Sequence, residues 1–186
     1  MKELDTFVKI VVIGDSNVGK TWFLSTFVNN HKLPEKCEPT LFDNLSTQFV
    51  FHGIEYELSL WDTSGAPERK KLRCLSYQDA DVFIMCYSID NRSSYDNIRF
   101  RWLKELRRRC PGVPRILVGL KSDLRSKLTY PLLPKDGEIL QFDIQASAFF
   151  EFSITTPKKH ADIFAEAVRL ALLKKVHVRR QSCCMQ

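Results

Sequence analysis

Residues 14–21, Gly14-Asp15-Ser16-Asn17-Val18-Gly19-Lys20-Thr21, fit the pattern G-x4-G-K-[ST]. Gly14 and Gly19 let the backbone curl so that its N–H groups point inward at phosphate oxygens. The dipole of a following helix adds to this attraction. Lys20 can reach the terminal phosphates, and the Thr21 hydroxyl can bind Mg²⁺. The stretch therefore predicts a phosphate-binding loop.

The residues on both sides of this loop have the pattern that the loop requires. Residues 7–13 are a nearly continuous apolar run, typical of a parallel strand that is buried on both faces. Residues 21–28 predict a helix. Apolar and polar residues then alternate over 45–52 and 54–60, and the two runs meet at His52-Gly53, which predicts a hairpin.

The rest of the chain continues the alternation of strands and helices. Further strands are predicted at residues 82–89, 115–120 and 149–153. Helices are expected from about 93 to 111, over 136–148, and after Thr156. Thr156 can cap the last of them, and Pro157 suits its first turn. The apolar stripe of this helix is formed by Ile163, Phe164, Ala167, Val168 and Ala171. The pattern predicts an α/β fold of the P-loop type: a six-stranded, mostly parallel sheet with one antiparallel strand and about five flanking helices.

Composition limits the classes of protein that the chain can belong to. With 44% hydrophobic and 27% charged residues it is globular, and no apolar run approaches the ~20 residues of a membrane helix. We expect no signal peptide. The six cysteines lack the spacing of metal sites, apart from the adjacent Cys183-Cys184, and a disulfide scaffold is not expected. This use of cysteine indicates a reducing, cytosolic compartment.

The net charge of +6 is concentrated in two segments. Residues 99–109 hold six basic residues and one acidic residue, and residues 169–186 hold five basic residues and no acidic one. Local basic segments suit a membrane surface or a protein partner. Nucleic-acid binding is the weaker alternative, because no DNA- or RNA-binding motif accompanies the charge.

A second motif, Trp61-Asp62-Thr63-Ser64-Gly65, follows the third predicted strand. A carboxylate at that strand end can hold Mg²⁺ through water, as the Walker-B aspartate does. The N–H of Gly65 can reach a terminal phosphate. The motif is weak alone, but it gains weight because it follows a phosphate-binding loop.

With these motifs the chain resembles the Ras superfamily of small GTPases, and within it the Rho family. Glu38-Pro39-Thr40-Leu41-Phe42-Asp43-Asn44 is similar to the Rho switch I, and the stretch from Gly65 to Tyr77 is similar to switch II. Lys121-Ser122-Asp123-Leu124-Arg125 resembles the guanine-specificity motif, Glu151-Phe152-Ser153 resembles the last base-contacting loop, and Cys183-Cys184-Met185-Gln186 resembles a prenylation box.

The resemblance implies a small GTPase domain over residues 1–176 and a basic, prenylated tail over 177–186. It implies GTP or GDP with Mg²⁺, where Thr21 and Thr40 ligate the metal directly and Asp62 does so through water. Asp123 would accept from the guanine base, and Lys121 would pack over it. The implied nucleotide-binding residues are Ser16, Asn17, Val18, Gly19, Lys20, Thr21, Trp22, Leu33, Thr40, Gly65, Lys121, Asp123, Ser153 and Ile154.

Several residues depart from the family pattern. Active members have Gly at the position of Ser16, and at the position of Ala66 they have a Gln that orients the attacking water. No catalytic residue is therefore intact. These positions resemble the Rnd branch, which binds GTP without hydrolysing it. Leu33 replaces an aromatic residue and Leu120 a hydrogen-bonding one, which predicts weaker nucleotide binding and faster exchange.

The predicted interaction surface also differs from that of typical Rho proteins. Switch I has Cys37 where a Tyr is usual, and switch II carries the basic residues Arg69, Lys70, Lys71 and Arg73. Only thirty positions separate Asp123 from Ser153, about ten fewer than in typical Rho proteins, so the Rho insert helix is expected to be missing. The usual exchange factors and effectors are not expected to fit this surface.

These observations predict a persistently GTP-bound signalling switch that binds protein effectors through switches I and II. We expect a monomer that does not bind nucleic acid. A prenyl group on Cys183 and the basic tail are expected to anchor it at the cytoplasmic face of a membrane, such as the plasma membrane, and part of the protein is expected in the cytosol. Two alternatives stay open: a slow or fast-exchanging GTPase that still cycles, and a nucleotide-free pseudo-GTPase scaffold. The intact Lys20, Thr21, Thr40 and Asp62 argue against the scaffold.

Overall fold

The computed structural model describes residues 6–29, 42–156 and 160–183. The strands in these residues are β1 (Phe7–Gly14), β2 (Phe42–Phe51), β3 (Ile54–Thr63), β4 (Val82–Ser88), β5 (Arg115–Leu120) and β6 (Ala148–Glu151). They form one six-stranded sheet in the order β2-β3-β1-β4-β5-β6, and only its β2–β3 pair is antiparallel. The predicted sheet is confirmed.

Helices alternate with the strands in the predicted order. They are α1 (Lys20–Val28), α2 (Lys70–Leu75), α3 (Arg92–Asn97), α4 (Leu103–Arg109), α5 (Pro134–Ile144) and α6 (His160–Cys183). A π-helical stretch, Ile98–Trp102, joins α3 to α4, so the three segments form one helical body where a single helix was expected. Short 3₁₀ turns cover Pro67–Arg69 and Ser122–Lys127.

The apolar core has two layers because β1 is buried on both faces. Val8, Ile10 and Val12 face the layer that α1 and α6 cover, whereas Val11 and Ile13 face the layer under α3, α4 and α5. This explains why the first strand is a continuous apolar run rather than an alternating one. The stripe predicted for the last helix, Ile163 to Ala171, is fully buried in the first layer.

The predicted hairpin turn is present at His52 and Gly53. Their φ angles are 50° and 77°, and two central residues with positive φ form the turn type that matches the twist of paired strands. Antiparallel pairing then continues from Phe51 and Ile54 to Phe42 and Thr63. The hairpin thus brings the start of β2 next to the end of β3, where Asp62 lies.

Some boundaries differ from the sequence prediction. Helix α5 begins at Pro134, two residues before the predicted start, because the Asp136 carboxylate accepts a 2.8 Å hydrogen bond from the N–H of Leu133 and so caps the helix there. It ends at Ile144, since Gln145 has a left-handed backbone. Strand β6 covers Ala148–Glu151 and not 149–153. Only residues 128–133 separate the turn at Ser122–Lys127 from α5.

The last helix, α6, continues to Cys183, so it runs into the segment that the sequence analysis assigns to the tail. The cap predicted at Thr156 and Pro157 concerns residues 157–159, which lie outside the described part of the chain. No helix in the described residues is long and apolar enough to cross a membrane.

Candidate nucleotide-binding site

The loop between β1 and α1 has the geometry of a phosphate cradle. A side chain at Gly14 would lie 2.2 Å from the carbonyl oxygen of Cys86, so only glycine fits there. Gly19 has a φ of 108° and leads directly into α1. The first N–H groups of α1, which have no partner within the helix, therefore lie at the loop.

Lys20 is folded back over this loop and is only 6% exposed. Its Nζ donates a 2.8 Å hydrogen bond to the carbonyl oxygen of Asp15. Burial lowers the pKa of Lys20, although attraction to Asp62 acts in the other direction. An anion in the loop would compensate the cost of burying this ammonium group, which makes Lys20 a good phosphate ligand.

The end of β3 brings a carboxylate to the start of α1. The parallel register of β1 and β3 pairs Val12 with Asp62, and the Thr63 hydroxyl donates to the carbonyl oxygen of Val12 at 2.7 Å. In this position Asp62 accepts a 2.5 Å hydrogen bond from the Thr21 hydroxyl. One hydroxyl and one carboxylate are thus held together at the edge of the loop.

This donor pair fits Mg²⁺, which prefers oxygen ligands and keeps several of its waters. Within the described residues no group of three or more His, Cys, Asp and Glu could enclose a metal ion. Thr21 and Asp62 are therefore suited to a magnesium ion that takes its other ligands from water and phosphate. The predicted third ligand, Thr40, lies outside the described residues.

The other end of the site is built from the loops after β5 and β6. The N–H of Ser122 donates to the carbonyl oxygen of Phe152 at 3.1 Å, which ties the two loops together. The Asp123 carboxylate accepts a 2.5 Å hydrogen bond from the Ser153 hydroxyl. Lys121 has a left-handed backbone, with φ of 62°, and its Nζ donates to Asp90 at 3.3 Å.

One cavity of about 690 Å³ connects these parts. Its volume is within the range of small-molecule and cofactor sites. The cavity is lined by Ser16, Asn17, Gly19, Lys20, Thr21, Trp22, Thr63, Ser64, Gly65, Ala66, Glu68, Arg69, Leu120, Lys121, Asp123, Leu124, Phe152 and Ile154. The predicted phosphate-binding loop, Thr21 of the predicted magnesium pair and the predicted base-binding loop therefore line the same space.

The sequence profile of the Ras family matches residues 9–173 of the chain. The chain belongs to the Ras family. The match extends from β1 into α6 and so includes the whole sheet. Ras-family proteins bind GTP or GDP with Mg²⁺, and they bind protein effectors through their switch regions. The cavity is thus the nucleotide-site candidate of a Ras-family switch protein.

The cavity brings together most of the site residues predicted from sequence. Ser153 and Asp62 are not among its lining residues, but each bonds to one that is: Ser153 to Asp123, and Asp62 to Thr21. The side chain of Val18 is buried in the core, so only its backbone faces the loop. Leu33, like Thr40, is outside the described residues. Six lining residues were not predicted to bind nucleotide or to act in hydrolysis, although Thr63, Ser64, Leu124 and Phe152 lie within the quoted motifs and Glu68 and Arg69 lie within switch II.

Ser16 and Ala66, to which the resemblance assigns a role in hydrolysis, lie where β3 ends beside the loop between β1 and α1. A side chain at Gly65 would lie 2.2 Å from the N atom of Ser16, so switch II touches the loop backbone directly. Ala66 follows at once, is half-buried and lines the cavity. Ser16 is exposed at the cavity's edge. No amide side chain is present at either position.

Leu120 replaces a hydrogen-bonding residue of the family with an apolar packing contact. It is buried, and its Cδ1 would lie 3.8 Å from a Cβ at Gly19. The Cε of Lys121 lies 4.0 Å from the same point. Leu120 therefore packs the base-binding loop against the phosphate loop, although it offers no polar group.

A buried arginine fixes switch II to the helical body behind it. Arg73 is 2% exposed and forms a bidentate pair with Glu105 on α4, with both hydrogen bonds at 3.0 Å. Its Nη1 also donates to the carbonyl oxygens of Ser64 and Ala66, at 2.8 and 3.1 Å. Tyr77 donates a 2.6 Å hydrogen bond to the Glu105 carboxylate. We call these contacts the Arg73–Glu105 clamp.

Asn97 at the end of α3 and two residues of the π-helical stretch supply a second set of contacts to the phosphate-binding loop. The Asp15 carboxylate accepts hydrogen bonds from Asn97 at 2.6 Å and from the Trp102 indole at 2.9 Å. Arg101 lies 3.4 Å from the same carboxylate and donates to the carbonyl oxygen of Gly65 at 2.8 Å. The helical body therefore contacts both the phosphate loop and the start of switch II, which sequence motifs did not reveal.

Proposed function

We propose that this protein is a Rho-like member of the Ras family that binds GTP and Mg²⁺ but hydrolyses GTP poorly, and so stays in the GTP-bound state. In that state it presents switch I and switch II to protein effectors. One observation carries the proposal: in the cavity that Lys20, Thr21 and Asp123 line, the residue after Gly65 is an alanine, whose methyl group cannot orient water.

Each binding role follows from a contact in the cavity. Lys20 supplies a desolvated positive charge for the terminal phosphates, and the N–H groups of residues 16–21 surround them. Thr21 and Asp62 supply oxygen ligands to a Mg²⁺ ion, which would neutralise phosphate charge. Asp123, held by Ser153, would accept from the guanine base, whereas adenine lacks those donors.

Restoring the family residues tests the loss of hydrolysis. The double variant Ser16→Gly/Ala66→Gln should raise the single-turnover GTP hydrolysis rate at least about tenfold, equivalent to ~1.4 kcal/mol of the barrier. The glutamine amide would orient the attacking water. A glycine in place of Ser16 would remove a side chain that crowds the site of hydrolysis. Ser16→Gly/Ala66→Leu is the matched control, since it opens the loop equally but adds no amide. Equal rates in the wild type and the glutamine variant would contradict the proposal.

A second candidate, a GTPase that still cycles slowly, is supported by Glu68. Its carboxylate belongs to switch II and lines the cavity two residues after Ala66. A carboxylate within reach of bound water can act as a general base. If Glu68→Gln abolishes a measurable wild-type hydrolysis rate, the cycling GTPase is the better description. The nucleotide-free scaffold is opposed by Lys20, Thr21 and Asp123, which line one cavity of about 690 Å³.

We also propose that the protein is anchored at the cytoplasmic face of a membrane, such as the plasma membrane, through a farnesyl group on Cys183. Gln186 at the end of the four-residue box favours that lipid. A single lipid anchors weakly, so a basic segment is needed as a second signal. Lys174 and Lys175 lie 3.8 Å from the Asp81 carboxylate, which offsets part of their charge. The second signal therefore rests mainly on Arg179 and Arg180.

The anchor is tested with Cys183→Ser and, separately, Arg179→Glu/Arg180→Glu. Each change should release most of the protein from the membrane fraction of cells that express it, because each removes one of two signals. Cys184→Ser is the matched control; it changes the adjacent thiol and should leave the protein on the membrane. Membrane association that survives Cys183→Ser would contradict the lipid anchor.

A further inference from the structure

A second cavity, of about 390 Å³, forms a groove between switch II and the helical body 92–109. Its lining is strongly basic. Lys70 and Arg73 line it from switch II, and Arg101, Lys104 and Arg108 line it from the helical body. The only carboxylate among its lining residues is Glu105. We call this feature the basic groove.

The single carboxylate does not neutralise the basic groove, because it is already engaged. Both of its oxygens pair with Arg73, and one also accepts from Tyr77. Lys70 lies further away, at 3.7 Å from Glu105. Arg101 pairs with Asp15 at 3.4 Å. The charge of Lys70 is therefore only partly compensated, and within the described residues Lys104 and Arg108 have no carboxylate partner.

Lys104 and Arg108 are the strongest part of this surface. Both are exposed, and within the described residues neither forms an ion pair with a carboxylate. They stand four positions apart on one helix face, an arrangement in which like charges repel. An anionic partner between them would remove this repulsion and gain two charge-assisted hydrogen bonds.

The basic groove also offers an apolar contact. Phe100 lines it and is 59% exposed, with the Lys104 Nζ 5.9 Å from the centre of its ring. Pro67 lines the opposite side, at the start of the switch II 3₁₀ turn. A ligand that fits this groove combines several negative charges with an apolar side chain between them. An acidic peptide segment has that chemistry.

The position of the basic groove argues against a lipid surface. The groove is formed by the helical body that covers one face of the sheet, whereas α6, which carries Cys183, packs against the other face. A bilayer that met the face covered by α6 would lie on the opposite side of the sheet from the groove. A concave site with an apolar wall also fits a protruding chain better than a flat headgroup layer.

We propose that the basic groove binds an acidic segment of a protein partner, with an apolar side chain seated against Phe100. The inference rests on the proposed function in one respect: Pro67, Lys70 and Arg73 belong to switch II, so this partner is of the effector or regulator class. The partner's carboxylates would pair with Lys70, Lys104 and Arg108. Because the charges are exposed to solvent, binding should weaken as salt increases.

The test uses a fluorescein-labelled synthetic peptide in which glutamates flank one phenylalanine, titrated with purified full-length protein and followed by fluorescence anisotropy. Lys104→Glu/Arg108→Glu should weaken binding at least about tenfold, since two attractive contacts become repulsive. Arg107→Glu/Arg109→Glu is the matched control. It makes the same charge change on the same helix, but at exposed residues that do not line the groove. It should change the affinity by less than about threefold. Phe100→Ala should weaken binding of this peptide but not of a version with alanine in place of the phenylalanine.

Equal losses in the groove and control variants would overturn the inference, because they would show attraction to overall charge. Tighter binding of a single-stranded oligonucleotide, or groove-dependent binding to phosphatidylserine vesicles, would overturn it in favour of another polyanion. Thermal unfolding checks that all variants fold. A fluorescent GTP analogue is titrated in parallel: loss of peptide binding with intact nucleotide binding separates failure at the groove from failure of the proposed function.

Discussion

Replacing Glu105 by alanine should lower the free energy of unfolding by about 3–5 kcal/mol, as expected when one partner of a buried ion pair is removed. The variant leaves the Arg73 guanidinium in the interior without its bidentate acceptor. Tyr77 loses its 2.6 Å hydrogen bond as well. Urea unfolding followed by circular dichroism measures the change.

The matched control for this prediction is Glu166→Ala. Glu166 accepts two hydrogen bonds from Arg169, at 2.6 and 2.7 Å, but the side chains of this pair on α6 are 18% and 48% exposed. Arg169 keeps its access to water when Glu166 is removed, so the control should cost about 1 kcal/mol or less. Similar losses of unfolding free energy in both variants would show that the Arg73–Glu105 clamp contributes no more to stability than the Glu166–Arg169 pair.

The clamp also predicts a dependence on pH. Burial acts to raise the pKa of Glu105, but hydrogen bonds from Arg73 and Tyr77 and attraction to Arg73 outweigh it, so the pKa lies below its ordinary value. A carboxyl group with a lowered folded-state pKa stabilises the protein above its unfolded-state pKa of about 4.3, and this contribution is lost as the pH falls. From about pH 5 downwards, wild type should therefore lose more stability than Glu105→Gln.

Replacing Lys20 by methionine should weaken GTP binding on the order of a hundredfold, because the phosphates lose charged hydrogen bonds worth about 1.5–3 kcal/mol each. The same change should not destabilise the nucleotide-free protein. Burial lowers the pKa of Lys20, which means that its charge is unfavourable in the folded state. Titration with a fluorescent GTP analogue and thermal unfolding of the nucleotide-free protein measure the two effects.

Lys127→Met is the control for both effects, on GTP affinity and on stability. Lys127 is exposed at the end of the 3₁₀ turn after β5 and does not line the cavity. It should change neither the affinity nor the unfolding temperature appreciably. If Lys20→Met keeps wild-type affinity, the loop is not a phosphate site. If it instead unfolds the protein, Lys20 has a structural role that its desolvated position argues against.

Most of the fold could be predicted because it depends on local patterns. The apolar run of β1, the alternation that ends at His52-Gly53 and the stripe of α6 each specify an element and its buried face. The phosphate loop was predictable for the same reason, since its glycines and Lys20 lie within eight consecutive residues. Helix α5 starts two residues before the predicted Asp136, because Pro134 takes the first helical position and Asp136 caps the N–H of Leu133 from inside the first turn.

The contacts that hold the site together could not be predicted from local pattern, because they join distant positions. Arg73 and Glu105 are 32 positions apart, and Asp15 and Trp102 are 87 apart. In the sequence, Arg73 is one basic residue among several in switch II, and nothing distinguishes it as buried. Likewise, the basic run of residues 99–109 divides into one groove-facing set and one set that points elsewhere only once the helix is folded.

The central claim is that the cavity holds a guanine nucleotide and that the protein keeps it as GTP. The most direct measurement is to purify the full-length protein in the presence of Mg²⁺, denature it, and identify and quantify the released nucleotide by ion-exchange chromatography. The account predicts GTP at close to one equivalent per chain. Predominant GDP would contradict the loss of hydrolysis, and ATP or an absence of nucleotide would contradict the assignment of the cavity itself.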